Sequence, residues 1–283
     1  MRLVLGTAQF GLDYGVSNTA GRTPFAEVES ILEFAAANDV DTLDTAAAYG
    51  DAEDVLARAG ARDRGFRIIS KTARFAASVD AVIERALLSV KKLGRPLDAL
   101  LVHSAGNLAL PDGERLWEAL RRLESDGAIA RLGVSFYARD PILDIVEKYR
   151  PELAQLSASI VDQRLVCDGT IAELARRGVE VHVRSALHQG LIFVDLDKLP
   201  AKLQCKRDAI GVMQGRLASA GLPALDLALS YLGRIADIHA VVIGVTRRSE
   251  LEAIVTASRS AWPNADASEF AVDDPLILDP TAW

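Results

Sequence analysis

The chain has 283 residues, with 32 basic against 39 acidic side chains, a formal charge of -7 and a hydrophobic fraction of 50%. A folded chain of this size buries about 75% of its unfolded surface and needs no covalent staples. Two cysteines, Cys167 and Cys205, are too few for a disulfide framework or a cysteine-based zinc site, so no metal is expected. No run approaches the ~20 apolar residues of a membrane span, and the acidic balance argues against nucleic acid as a partner.

Short apolar runs alternate with longer segments of helical period. Leu3-Val4-Leu5 starts a strand within the first residues, with no apolar stretch or small-residue cleavage site of a signal peptide, so the expected location is the cytoplasm. A turn-rich stretch runs to Asn18. The spacing then predicts a helix over 24–38, in which Phe25, Val28, Ile31, Leu32 and Ala35 fall three and four apart. Thr42-Leu43-Asp44 is a strand, followed by a short helix over 52–59. A strand over 66–70 leads to a helix over 79–93 with Val82, Leu87 and Val90 inward. Strands over 97–102 and 131–135 bracket a helix over 113–125. A helix opens near Pro141, a good first-turn residue. A strand over 153–156, a helix through Arg177 and a strand over 179–183 follow. Helices over 200–220 and 223–235, a strand over 240–243 and a helix over 247–257 complete the pattern.

Eight strand–helix pairs of this kind predict a parallel sheet covered by helices. In under 300 residues they suit an α/β fold of the closed (β/α)8 barrel type better than an open sheet. No linker or composition break divides the chain, so one domain over 1–283 is expected, with an irregular tail over 262–283. Trp262 and Trp283 are costly to expose, and the tail is expected to fold back onto the barrel.

In such a barrel chemistry sits where strands end. Asp44 ends the second strand, with Tyr49 in the loop beyond it; Lys71 ends the third and His103 the fourth. Each alone has an ordinary reading: a turn or cap carboxylate, a solvated lysine, a hydrogen-bonded packing histidine. Together at three successive strand ends they can converge. A charged lysine after an apolar run needs a partner, and Asp44 is the natural one. An ammonium beside a phenol favours the phenolate and draws its pKa down from about 10, which makes a general acid usable near neutral pH. His103 is then placed to orient a bound carbonyl.

These residues carry a resemblance. Asp44-Thr45-Ala46-Ala47-Ala48-Tyr49-Gly50, Lys71 and Leu101-Val102-His103 are similar to the aldo-keto reductases. The likeness extends from Leu5-Gly6-Thr7-Ala8-Gln9-Phe10-Gly11 through Leu132-Gly133-Val134-Ser135, Gln155 and Gln189-Gly190-Leu191 to Val242-Ile243-Gly244. It implies a nicotinamide-dependent oxidoreductase that interconverts a carbonyl and an alcohol. It also implies that Tyr49 exchanges the proton, Lys71 and Asp44 tune it, and His103 positions the substrate oxygen. Further features resemble a bacterial branch associated with sugar and polysaccharide metabolism: Gln9 to Gly15, Asp162-Gln163-Arg164, Arg184-Ser185, and Leu278-Asp279-Pro280 with Trp283.

The same resemblance implies a cofactor cradle. Gly6 and Thr7 open it, Ser135 and Gln155 hold the nicotinamide carboxamide, and Gln189 and Gly190 lie over the pyrophosphate. From the residues themselves, Gly244, Thr246, Arg247 and Arg248 stand at a helix start that reads either as an anion site, where the arginines suit a 2′-phosphate, or as a solvated first turn with no ligand. On the resemblance alone, NADP(H) stands first and NAD(H) close behind. The chain departs from the family at four places. Phe136 stands where asparagine is usual, Glu250 where an arginine takes the phosphate, and Ala253-Ile254 where Glu-Asn meets adenine. Arg184 replaces the aromatic residue that stacks on nicotinamide. A guanidinium also stacks on a flat ring, yet an oxidised ring is cationic; Arg184 alternatively pairs with Asp162 or with an anionic substrate. His188 reads as a surface loop residue. The departures leave open a non-catalytic barrel that senses a dinucleotide or binds a partner, and redox-neutral sugar chemistry on the same residues. A monomer and a homo-oligomer are equally compatible with the sequence.

Overall fold

The computed structural model describes residues 1–73, 78–94, 96–263 and 265–279. Eight strands, β1 (Arg2–Gly6), β2 (Thr42–Asp44), β3 (Arg67–Lys71), β4 (Ala99–Val102), β5 (Leu132–Ser135), β6 (Leu153–Ser157), β7 (Glu180–Arg184) and β8 (Ala240–Gly244), close into a barrel in chain order. Every neighbouring pair is parallel. The barrel closes where Arg2 to Gly6 pair with Ala240 to Gly244. Helices cover the outside and side chains fill the inside, so β2, β4, β5 and β6 are buried at every position. That double burial is why the strands read as unbroken apolar runs.

The helices follow their periodicity with three instructive exceptions. In Phe25–Ala37, Val28, Ile31, Leu32 and Ala35 are buried as expected. In Val79–Leu93 the buried face is Val79, Val82, Ala86, Ser89, Val90 and Leu93, while Leu87 stays 46% exposed. Leu87 lies five residues beyond Val82, well over a quarter-turn away from it on a helix of 3.6 residues per turn, so it faces out. The helix expected to run through Arg177 is two, Arg164–Cys167 and Thr170–Arg176, because Gly169 adopts a φ of 80° between them. The segment over 200–220 begins as a 3-10 turn, Ala201–Lys206, before the helix Arg207–Ala218.

The bottom of the barrel is closed by ion pairs. Glu180 accepts from Arg2 at 2.6 Å and from Arg131 at 2.5 Å, and Arg131 also pairs with Asp98 at 2.5 Å. The tail returns to the barrel. Trp262 packs edge-on against Tyr231 and Phe270, and the Val272 N–H donates to the Val161 carbonyl at 3.0 Å. It is less irregular than the sequence suggests, with one-turn helices Ala267–Phe270 and Pro275–Leu278. Pro280 and Trp283 lie outside the described residues. Among the described residues no helix is long and apolar enough to cross a membrane, and no cluster of three or more His, Cys, Asp or Glu side chains could hold a metal.

Candidate active site

A cavity of about 680 Å³ opens at the C-terminal ends of the strands. Its floor is set by the chain order of the strands. Asp44 pairs in register with Ile69 and Lys71 with Leu101, which brings the ends of β2, β3 and β4 side by side. The loop that carries Tyr49 is fixed from several directions. Thr45 N–H donates to Ile69 O at 2.8 Å and Ala47 N–H to Lys71 O at 3.1 Å. Beneath it the buried Glu53 accepts from Ser70 at 2.9 Å and from Arg85 at 2.6 Å. Gly50 has a φ of 57° and meets the backbone of Gly11 so closely that neither position has room for a side chain.

Four polar side chains converge on this floor. Lys71, 1% exposed, donates from Nζ to Asp44 Oδ1 at 2.5 Å, to the Thr45 carbonyl at 3.1 Å and toward the Tyr49 hydroxyl at 3.5 Å. The His103 ring stands edge-on to the Tyr49 ring with centroids 5.9 Å apart. Burial alone would drag the Lys71 pKa down. The Asp44 carboxylate and the Tyr49 phenol outweigh it, and the ammonium is held above its ordinary value.

The far oxygen of Asp44 accepts from Gln155 Nε2 at 2.7 Å. A carboxylate is acceptor-only, so the amide must present its NH2 there. Gln155 Oε1 is then left buried with no partner among the described residues. Ser135 lies next to it across the β5–β6 pairing and lines the same cavity. An unsatisfied acceptor beside a hydroxyl fits a primary carboxamide, so the nicotinamide end of a dinucleotide suits these residues.

Gly6, Thr7, Arg184, Gln189, Gly190, Gly244, Thr246 and Arg247 also line the cavity. Gly190, at a φ of 87°, packs against Ser17, and Gln189 O accepts from Val16 N–H at 2.9 Å, so loops from opposite sides meet over the mouth. Ser185, His188 and Gln189 all take left-handed backbone, a costly arrangement that clusters at functional loops.

The anion site is furnished differently from the sequence expectation. Glu250 turns back and accepts from Thr246 N–H at 2.7 Å and from Thr246 Oγ1 at 3.1 Å, and Arg247 Nε lies 3.4 Å from it. Arg248 does not line the cavity. Its N–H is taken by Glu27 at 2.6 Å and its guanidinium by Glu252 at 2.8 Å. The Arg184–Asp162 pairing is also not made, because Asp162 holds Arg164 in a two-pronged bridge at 2.7 and 2.8 Å. Arg184 instead donates to Phe136 O at 3.0 Å and lies over the Tyr137 ring at 4.5 Å. Phe136 itself is fully buried. His188, expected at the surface, is 1% exposed and bonds the Ile277 carbonyl at 2.8 Å.

Among the lining residues that the sequence reading does not assign to the site are Gln9, Tyr14 and Tyr137. Gln9 Oε1 is buried without a partner among the described residues, and Gln9 fills the space a side chain at Gly244 would need. Tyr14 is 38% exposed, yet its phenol is pushed up to about 12, by burial first and then by the nearby Tyr49 phenol, with Arg184 pulling the other way. The Gln9 to Gly15 segment draws notice as a motif, but nothing in its spacing says that these two side chains turn inward.

An aldo-keto reductase from Bacillus halodurans, in its holo form, superposes with a TM-score of 0.76 at 21% identity, over 95% of this chain and 89% of that one. The apo form of that reductase gives 0.70 at 21% identity, over 92% and 89%. A Pseudomonas aeruginosa protein titled as an aldo-keto reductase gives 0.66 at 21% identity, over 90% and 88%. At that identity the likeness is one of fold. No curated protein sequence matches the chain. The model of the Aldo/keto reductase family, however, matches residues 2–271, and the chain belongs to that family.

Proposed function

We propose that this protein is a cytoplasmic oxidoreductase, working as one barrel domain, that interconverts a small aldehyde, ketone or sugar with its alcohol. The observation that carries the reading is the position of Lys71 Nζ, bonded to Asp44 and facing the Tyr49 hydroxyl inside the cavity. A bound nicotinamide supplies or accepts the hydride at the carbonyl carbon. Tyr49 donates its phenolic proton to the carbonyl oxygen as that oxygen gains charge, and takes it back in the reverse direction. Lys71 stabilises the phenolate left behind, and Asp44 keeps Lys71 charged. His103, edge-on to Tyr49, orients the oxygen. The burial of the Lys71–Asp44 pair strengthens each of these interactions.

For the cofactor, the resemblance places NADP(H) first. The filled anion site favours NAD(H), since a 2′-phosphate would have to displace Glu250 from Thr246 and would face Glu27 as well. Tyr49→Phe tests the reading. Turnover of an aldehyde panel with NADH is expected to fall by about 10²-fold or more. Retained turnover rejects Tyr49 as the acid. Tight dinucleotide binding with no turnover of any carbonyl points instead to a sensing barrel, which the altered adenine positions Ala253 and Ile254 would suit.

A further inference from the structure

We propose that Arg184 anchors an anionic group of the substrate, so that the protein acts on carboxylate-bearing carbonyl compounds or their alcohols. The proposal deepens the oxidoreductase reading and rests on it for the carbonyl, though not for the anion.

Among the described residues, the lysine and arginine side chains that line the cavity are Lys71, Arg184 and Arg247. Lys71 is neutralised by Asp44 and Arg247 faces Glu250. Arg184 has no carboxylate within 4.0 Å among the described residues; its fixed points are the Phe136 carbonyl and the Tyr137 face. Those two contacts commit one N–H and one face of the guanidinium, which carries five donors. The remaining donors form a planar fork that matches a carboxylate. A chain of net charge -7 in which, among the described residues, this lining cation has no counter-charge has a site complementary to an anion.

The anchor is close to the chemistry. Tyr14, Tyr49 and Arg184 line the same cavity, and the Tyr14 phenol feels both of the others. Tyr14 stays protonated far above neutral pH, so it adds a neutral donor rather than a second negative charge. A cationic oxidised nicotinamide gains nothing electrostatically from lying on a guanidinium, whereas a substrate carboxylate gains a charge-assisted pair.

The test uses 4-formylbenzoate and its neutral isostere 4-formylbenzamide with NADH. Wild-type protein is expected to favour the acid in kcat/KM by about tenfold or more, as a hydrogen-bonded charge contributes that much. The acid-to-amide ratio should fall to near one in Arg184→Met and be partly kept in Arg184→Lys, which retains the charge without the fork. A ratio near one in the wild type, or one unchanged in Arg184→Met, overturns the proposal. If neither aldehyde is reduced, the oxidoreductase reading is what fails. Calorimetric titration with benzoate and benzamide then decides the anchor: tighter benzoate binding that Arg184→Met abolishes supports it, and equal binding overturns it.

Discussion

Asp44 and Gln155 are joined by a 2.7 Å hydrogen bond between carboxylate and amide, and this bond links the proton-handling side of the cavity to the side that fits a carboxamide. One oxygen of Asp44 serves Lys71 and the other serves Gln155. The pair therefore has a consequence that neither residue has alone.

Asp44→Asn keeps the shape and removes the charge. With its oxygen left to Lys71, the new amide turns its NH2 toward the NH2 of Gln155, two donors face to face. Gln155 relieves this by turning over, which takes its free oxygen out of the place that suits a carboxamide. Turnover and dinucleotide affinity are expected to fall together. Steady-state kinetics and fluorescence titration with NADH check this, and a variant that loses turnover while binding NADH as tightly as wild type would show that the two sides are independent.

Lys71→Met leaves the Asp44 charge buried without its cation. Side-chain exposures of 1% and 4% make this a buried pair, for which loss of one partner costs about 3–5 kcal/mol. The urea midpoint should drop accordingly. Lys71→Met with Asp44→Asn should recover part of the loss, because the stranded charge is gone. A penalty below about 1 kcal/mol, the range of exposed pairs, would mean that the pair is solvated in solution.

Glu250→Gln addresses cofactor choice. Glutamine keeps an oxygen for Thr246 N–H and removes the negative charge that a 2′-phosphate would meet. Wild-type protein is expected to bind NADH more tightly than NADPH. The variant should improve NADPH binding several-fold with little change for NADH, since only the phosphate senses the charge. Equal improvement for both, or wild-type preference for NADPH, would place the phosphate elsewhere.

How much of this could be read from the chain follows from which interactions leave a period. The eight strands are legible because burial on both faces writes them as apolar runs, and barrel closure in chain order then makes Asp44, Lys71 and His103 neighbours. Leu87 misleads because an apolar residue on a helix reports its angle only relative to its neighbours. Loop side chains carry no period at all. Nothing in Thr246 to Glu250 says that the carboxylate folds back onto Thr246, and nothing around His188 says that the tail covers it. The anion site and the tail contact thus needed coordinates, whereas the Tyr49 floor did not.

That buried histidine makes the docking of the tail sensitive to pH. His188 Nε2 bonds the Ile277 carbonyl, so the proton sits on that nitrogen. Burial lowers its pKa, opposed by the Ile277 bond and by Asp162, with Arg164 reinforcing the decrease. Below about pH 6.5 the unfolded chain takes up a proton that the folded chain refuses. The contribution of His188 is therefore complete above that pH and is lost as the pH falls toward the lower folded value. Thermal midpoints across the acid side of neutrality should fall more steeply for wild type than for His188→Asn, which tolerates the left-handed backbone at φ 50° and does not titrate. Parallel curves for the two proteins would show that the imidazole is hydrated and that the tail does not seal it.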